Sequence, residues 1–309
     1  MVPCTKSKSQ SVEAAMRFDA LVSSSCAFGV RRWLQAADQC ETLTVARALY
    51  AGTGWNCTSR AQNLLDHTCE LWIASAGFGL VAGDERLPAY EATFAAQNNR
   101  VADRLLGFKS PSTAHAAWWA AINEARGKTP TPLQTTFSGY ERVIVALSAP
   151  YMTALRSDLE LLAETLGPDA LWLVAVGAQP QTLSPSLREC VVPLTSDIEG
   201  LVAGARITLN MRALIWWLEE IVPVAGWNRA AQRREIECQL RGLKPKTTIK
   251  KQSLSDAEVV NWIEKQRDAM GREWPRGGKT GLLRTLRAGG LACEQSRFSR
   301  LYAEVTQGQ

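Results

Sequence analysis

Two segments of the chain place reactive or small side chains where buried strands are expected to end. The first runs from Val2 to Lys8 and carries the thiol of Cys4, with Lys6 and Lys8 at alternate positions after it. If the backbone stays extended, this alternation puts the three side chains on one side. Neighbouring ammonium groups favour the thiolate, which is the nucleophilic form of cysteine. The segment therefore predicts a nucleophilic thiol beside cations that could also bind phosphate or another anion.

The second segment covers residues 71–81 and ends in the small residues Ser75-Ala-Gly-Phe-Gly. Small residues let backbone N–H groups approach a ligand closely, although a simple tight turn would use the same residues. Ligands collect at the carboxyl ends of strands in an α/β sheet, so we expect both segments to share one pocket. We expect the following residues to line that pocket: Cys4, Lys6, Lys8, Ser75, Gly79 and Tyr90. We assign the substrate contacts to Thr5, Ser75, Ala76, Gly79 and Tyr90.

The elements that must position these segments alternate between strand and helix. Helical spacing of apolar residues predicts helices at 151–166, ending at Gly167-Pro168, and at 209–222. Strand, helix and strand in this order favour an α/β fold, with a mostly parallel sheet flanked by helices. Short apolar runs rich in Val, Ile and Trp predict the buried strands, at residues 70–76, 142–148 and 170–176.

The last part of the chain differs from the rest in charge. Residues 228–309 hold 17 basic and 9 acidic residues, whereas the whole chain has a net charge of only +5. A mildly acidic body with a basic tail indicates a polyanion-binding appendage, although a solvated helical face would have the same composition. A polar, basic linker containing Pro245 separates two predicted domains. We place an α/β domain at residues 1–242 and a basic helical domain at residues 254–309.

Three helical pieces are predicted in the basic domain. Ser255 and Glu258 have the spacing of a capping box, which marks the start of the first piece. The second and third pieces, residues 280–287 and 294–305, are separated by Gly289-Gly290. A helix, a glycine turn and a basic helix resemble the outline of a helix-turn-helix, which many small helical bundles share. The predicted DNA contacts are Arg284, Arg287, Arg297 and Arg300.

Several classes of protein are disfavoured by composition. No apolar run reaches the roughly 18 residues of a membrane span, and the first residues lack the apolar core of a signal peptide. The eight cysteines form no C-x-x-C pair, which favours reduced thiols in the cytoplasm. His67 and His115 are too few for a histidine-based zinc site or a catalytic triad. We predict a cytoplasmic protein without a membrane segment, metal or cofactor.

Several motifs, in order over residues 2–94, resemble the YaaA-like family. In that family, an N-terminal strand ends in a motif of small residues, Thr and Lys, and a second strand ends in Ser-x-x-Tyr-Gly-Leu. Here Phe78 stands where Tyr is usual, and the few residues before Cys4 leave room only for a very short first strand. The resemblance rests on Val2–Lys8, Ala48-Leu-Tyr-Ala-Gly, Leu71–Val81, Asp84, Pro88, Tyr90 and Thr93.

Residues 143–150 and 204–212 further resemble the DpdC-like proteins. These belong to bacterial systems that insert 7-cyano-7-deazaguanine into DNA and then convert its nitrile to a carboxamide. The resemblance implies that this chain hydrates the nitrile on DNA. It also implies, as a partner, a DNA-modifying enzyme similar to a tRNA-guanine transglycosylase.

Thiol chemistry suits this reaction because a nitrile carbon is electrophilic. A thiolate can add to the carbon and give a thioimidate that water resolves. We expect Cys4 as nucleophile, Lys6 or Lys8 as proton donor and Glu91 as base. If Cys4 is only a small buried residue, a lysine with Asp84 or Glu91 would activate water directly. Two rival interpretations are a DNA-binding protein that protects DNA without catalysis, and an enzyme acting on small molecules or on tRNA bases.

Overall fold

The computed structural model describes residues 1–65, 69–176, 182–243, 252–269 and 278–307. His67 and most of the predicted linker, including Pro245, lie outside these ranges. The strands are β1 (Val2–Pro3), β2 (Thr44–Val45), β3 (Trp72–Ser75), β4 (Gly79–Ala82), β5 (Arg86–Leu87), β6 (Val143–Ala146), β7 (Leu171–Val174), β8 (Gln252–Ser253) and β9 (Leu291–Ala292). The helices are α1 (Cys26–Asp38), α2 (Ala46–Leu49), α3 (Thr53–Leu64), α4 (Pro111–Ala125), α5 (Pro132–Phe137), α6 (Ala149–Ala154), α7 (Arg156–Ala170), α8 (Pro185–Cys190), α9 (Leu209–Trp216), α10 (Val222–Ala225), α11 (Arg229–Leu240), α12 (Asp256–Ala269), α13 (Gly278–Ala288) and α14 (Gln295–Gln307).

The chain divides into two compact units, Met1–Pro245 and Lys246–Gln309. In the large unit, β1 pairs in parallel with β3, and β3 pairs antiparallel with β4. Strands β6 and β7 pair in parallel, and the Ala146 N–H donates to the Met1 carbonyl at 3.0 Å beside β1. The prediction of a fold that mixes strands and helices is confirmed. Its sheets are small, and β3–β4 and β2–β5 pair antiparallel.

The predicted elements are present with altered ends. All three predicted strands form, each over four residues, and β1 is two residues long as expected. The helix predicted at 151–166 consists of α6 and α7, and Gly167 interrupts α7 with a positive φ of 67° just before Pro168. The helix predicted at 209–222 is confirmed, because α9 continues through a π-helical turn at 217–221 into α10.

A buried carboxyl group in α7 ties three elements of the large unit together. Asp158 accepts hydrogen bonds from the indole N–H of Trp119 and from the backbone N–H of Leu133, both at 3.0 Å. Its side chain is almost completely buried. This burial raises the pKa of Asp158 from an ordinary 3.8 to about 7, despite the two hydrogen bonds that lower it.

This raised pKa predicts a pH-dependent stability. A carboxyl that ionises less readily when folded contributes stability below its unfolded pKa, and the contribution is lost as pH rises through the folded pKa. Relative to Asp158→Asn, the unfolding free energy of the natural chain should fall between about pH 4 and pH 7, by at most about 4 kcal/mol. Urea unfolding across this range measures the difference. A difference that does not change with pH would contradict the assignment.

The small unit packs three helices around a separate apolar core. Val259 and Ile263 of α12, Leu286 of α13 and Phe298 of α14 are buried in it. The predicted capping box is confirmed, because the Ser255 N–H donates to the Glu258 carboxylate at 2.7 Å. The connection from α13 to α14 contains β9, which pairs with β8, so it is longer than the short turn of a helix-turn-helix. None of the described helices could cross a membrane.

Candidate functional site

A cavity of about 340 Å³ lies where β1 and β6 end. Four further segments enclose it: the start of α3, the loop that follows Tyr90, the start of α6 and the start of α9. Its lining residues are Pro3, Cys4, Thr5, Lys6, Ser7, Ala51, Gly52, Thr53, Gly54, Thr58, Glu91, Ala92, Thr93, Ala95, Gln97, Asn98, Asn99, Ala146, Ser148, Tyr151, Ile207, Thr208, Asn210 and Met211.

Cys4 lies at the inner wall of this cavity. Its N–H donates to the carbonyl of Ala74 at 3.0 Å, which extends the pairing of β1 with β3 by one residue. Its sulfur lies 3.0 Å from the hydroxyl of Tyr151 and accepts the N–H of Ala76 at 3.5 Å. Burial and the neighbouring Cys4 raise the pKa of Tyr151 well above its usual value. The phenol therefore stays protonated and can donate to a thiolate.

The two predicted lysines occupy different positions. Lys6 is exposed and lines the cavity. Lys8 is not among the lining residues, because its ammonium folds back to the carbonyls of Thr5 and Lys6 and lies over the rings of Tyr50 and Tyr90. Burial lowers the pKa of Lys8, while Cys4 and Glu91 raise it. Because the ammonium of Lys8 does not line the cavity, the expected row of three side chains on one side does not form.

Glu91 is the acidic residue of the cavity wall. Its backbone forms a parallel bridge with Arg17, in which both hydrogen bonds measure 2.8 Å. Its Oε2 accepts the side-chain N–H of Asn99 at 2.7 Å. The predicted base therefore stands in the same cavity as the thiol of Cys4 and the amine of Lys6.

The turn after β3 is a structural element and does not present free backbone N–H groups to a ligand. The Ser75 hydroxyl is completely buried and accepts the N–H groups of Gly77 and Phe78 at 3.2 and 2.9 Å. Its own hydrogen is then left for the Tyr90 hydroxyl, 2.6 Å away, which in turn contacts the Tyr50 hydroxyl at 2.9 Å. The assignment of Ser75 and Tyr90 as substrate contacts is therefore corrected: they support the cavity from behind.

Ala76 and Gly79 need the same correction. The carbonyl of Ala76 accepts the indole N–H of Trp118 at 2.8 Å, and its N–H is used by Cys4. Gly79 has a positive φ of 67°, and a Cβ there would overlap the amide of Asn123. The small residues of this motif make room for protein atoms and not for a ligand. Of the predicted substrate contacts, Thr5 lines the cavity.

Asp84 is placed away from the other predicted catalytic residues. It is exposed in the turn between β4 and β5 and is not among the residues that line the cavity. The reason is the hairpin: β4 runs antiparallel to β3, so the chain returns to the end of the sheet opposite Ser75. Asp84 therefore cannot activate water beside Cys4, and this part of the prediction is wrong.

Tyr151 and Asn99 are among the cavity side chains that sequence reasoning missed. Tyr151 lies shortly after β6. The strand-end argument that identified Cys4 after β1 would also have identified Tyr151 after β6. Asn99 gives no such signal, because it lies in an irregular loop. Among the described residues, no group of three or more His, Cys, Asp or Glu side chains is placed to hold a metal ion. His115 is buried against Phe94, and burial lowers the pKa of His115 to about 4.

The four predicted DNA contacts lie in the small unit, and they differ in whether they already bond to other protein groups. Asp256 accepts hydrogen bonds from both Arg297 and Arg300, and these bonds lower the pKa of Asp256. Arg287 donates to the carbonyl of Cys293 at 2.9 Å. Arg284 is exposed on α13. Within the described part of the chain, Arg284 is the one of the four predicted contacts that makes no hydrogen bond or ion pair through its side chain.

Comparison with known proteins adds no relative to this description. No family model, curated protein or solved structure matches the chain.

Proposed function

We propose that this chain hydrates the nitrile of 7-cyano-7-deazaguanine in DNA to the carboxamide, with Cys4 as the nucleophile. The observation that carries the proposal is a thiol at the wall of a cavity that also holds an amine and a carboxylate. Cys4, Lys6 and Glu91 all line it, although Glu91 is distant in sequence from the segment that holds Cys4 and Lys6. The resemblance of residues 143–150 and 204–212 to the DpdC-like proteins supplies the substrate.

The three side chains can divide the reaction between them. The Cys4 thiolate, with Tyr151 donating to it, forms a C–S bond as one π bond of the nitrile breaks, and Lys6 protonates the nitrogen. Water adds to the thioimidate carbon as Glu91 takes its proton and passes it to that nitrogen. The C–S bond then breaks, the thiolate leaves, and the remaining hydroxyl proton returns to Lys6. The sum is one nitrile and one water converted to one carboxamide.

The dimensions of the cavity suit a single base. A volume of about 340 Å³ lies at the small end of the range for ligand sites. Enzymes that act on a base inside DNA draw it out of the stack into such a pocket. The exposed side chain of Ile207 lines the cavity and offers an apolar surface for a flat ring. We place the reaction in the cytoplasm, where the eight free thiols would remain reduced.

Analysis of cellular DNA tests this proposal. The chain should be produced together with a transglycosylase-like enzyme that inserts the nitrile base, and the nucleosides from digested DNA should be measured by mass spectrometry. We expect the carboxamide nucleoside with the chain present and the nitrile nucleoside without it. Identical nucleosides in both strains would favour the alternative, a DNA-binding protein without catalytic activity.

The basic small unit is proposed to bind the DNA backbone. Arg284→Ala should weaken binding and lower the slope of log affinity against log salt concentration by about 0.9, the value for one phosphate contact. Arg31→Ala is the matched control, because Arg31 is exposed on α1 of the large unit. Fluorescence anisotropy with duplex DNA at several salt concentrations gives both slopes. Equal slopes for the two variants would mean that Arg284 contacts no phosphate and that α13 is only a solvated helix.

A further inference from the structure

We propose that Asn99 is a positioning residue that aligns the Glu91 carboxylate for its action as a base. The amide of Asn99 holds one carboxylate oxygen, and the other oxygen is left to take the proton of water. This inference rests on the proposed function, in which Glu91 deprotonates the attacking water.

The backbone of Asn99 is held in an unusual conformation. Its φ is +62°, and among the described residues it is the one non-glycine residue with a positive φ. Asparagine adopts this left-handed region more readily than most residues, but still at some cost. Asn99 is also buried, although it is flanked by exposed Asn98 and partly exposed Arg100. Residues held in such conformations cluster at functional sites.

Hydrogen bonds to Asp19 fix which way the Asn99 amide points. The amide oxygen accepts the backbone N–H of Asp19 at 2.9 Å. The backbone N–H of Asn99 donates to the Asp19 carboxylate at 2.8 Å. Because the oxygen end is taken by a backbone donor, the NH₂ end must face Glu91, which it meets at 2.7 Å. A flipped amide would set two donors against each other and an oxygen against a carboxylate.

The Glu91 carboxylate is thereby held at one oxygen only. Its main chain is fixed by hydrogen bonds to Met16 and Phe18. Its Oε2 is bound by Asn99, and no other hydrogen bond to the carboxylate is found among the described residues. A base that is held at one oxygen and free at the other, in the wall of a cavity, is aligned for proton transfer. Misplacement of a reacting group by about 1 Å can cost about 100-fold in rate.

A double-mutant cycle between Asn99 and Glu91 tests this inference. Asn99→Gly removes the amide and still permits the positive φ. We expect kcat for nitrile hydration to fall by roughly 10- to 100-fold with little change in KM. In the Glu91→Gln background, Asn99→Gly should lower kcat little further, because its effect passes through the carboxylate. Thermal unfolding of each variant establishes that the fold is retained.

A second variant covers the case in which glycine loosens the loop. Asn99→Asp keeps the side-chain shape and the bond from the Asp19 N–H, but it places a second carboxylate against Glu91. Neighbouring carboxylates share a proton, which raises the pKa of one of them. The acid limb of the pH profile of kcat should therefore move to higher pH. Two results together would overturn the positioning role. The substitutions at Asn99 and Glu91 would lower kcat independently, so that their effects multiply, and the pH profile of kcat for Asn99→Asp would be unshifted. A natural chain that shows no conversion would instead overturn the proposed function, and the inference with it.

Discussion

Cys4→Ser should lower the rate of nitrile hydration by at least about 1000-fold, which corresponds to about 4 kcal/mol of activation free energy. A serine hydroxyl is far less ionised than a thiol at neutral pH, so the covalent route is lost. The substitution is nearly isosteric, and serine retains the hydrogen-bonding partners Tyr151 and Ala76. Single-turnover conversion of DNA that contains the nitrile base measures the loss.

Cys190→Ser is the matched control for this prediction. Cys190 is equally a buried free thiol, but it lies in α8 and does not line the cavity. We expect it to retain turnover wherever its fold is retained. If Cys4→Ser keeps most of its activity, Cys4 has a structural role and Glu91 activates water without a covalent intermediate.

Gly79→Ala should destabilise the large unit by about 2 to 5 kcal/mol. A left-handed φ costs an alanine roughly 1 to 2 kcal/mol, and overpacking adds roughly 1 to 3 kcal/mol. The overlap is with buried Asn123, whose Cγ would lie 2.7 Å from the new Cβ. Asn123 cannot move freely, because it accepts the Leu80 N–H and donates to the Trp119 carbonyl. Thermal unfolding should show a midpoint lower by roughly 4 to 20 °C.

Gly107→Ala separates the two causes of that loss. Gly107 has a φ of 87°, but among the described residues no atom beyond its two chain neighbours lies within 4 Å of the position of its Cβ. It should therefore show the conformational cost alone, about 1 to 2 kcal/mol. Equal losses for the two glycines would mean that Asn123 does not fill the space beside Gly79. That space would then be available to a ligand, as the sequence first suggested.

The sequence indicated the parts of the site that follow from strand ends. Cys4 follows β1 directly, as expected for a residue at a strand end. The expectation that residues near a strand end lie at the site failed for Asp84. The antiparallel strand β4 carries Asp84 back to the other end of the sheet. It also could not show that Ser75 hydrogen-bonds its own turn, because a serine among small residues fits a ligand loop equally well.

Other parts of the site depend on contacts between distant segments. Asn99 faces Glu91 only because Asp19, 80 residues earlier, fixes its amide. Tyr151 reaches Cys4 across 147 residues of sequence. Helical periodicity and strand patterns describe each segment separately, so neither contact could be derived from them. The pairing of Arg297 and Arg300 with Asp256 was missed for the same reason.

The most direct test of the account is the conversion of a defined substrate by the purified natural chain. Duplex DNA, the nucleoside and the free base, each carrying the nitrile, should be incubated separately and analysed by mass spectrometry. We expect the product of the DNA reaction to gain the mass of one water, with slower or no conversion of the smaller substrates. Failure to convert any of the three, by a folded chain that binds DNA, would contradict nitrile hydration. The cavity would then belong to a DNA-binding protein without this activity.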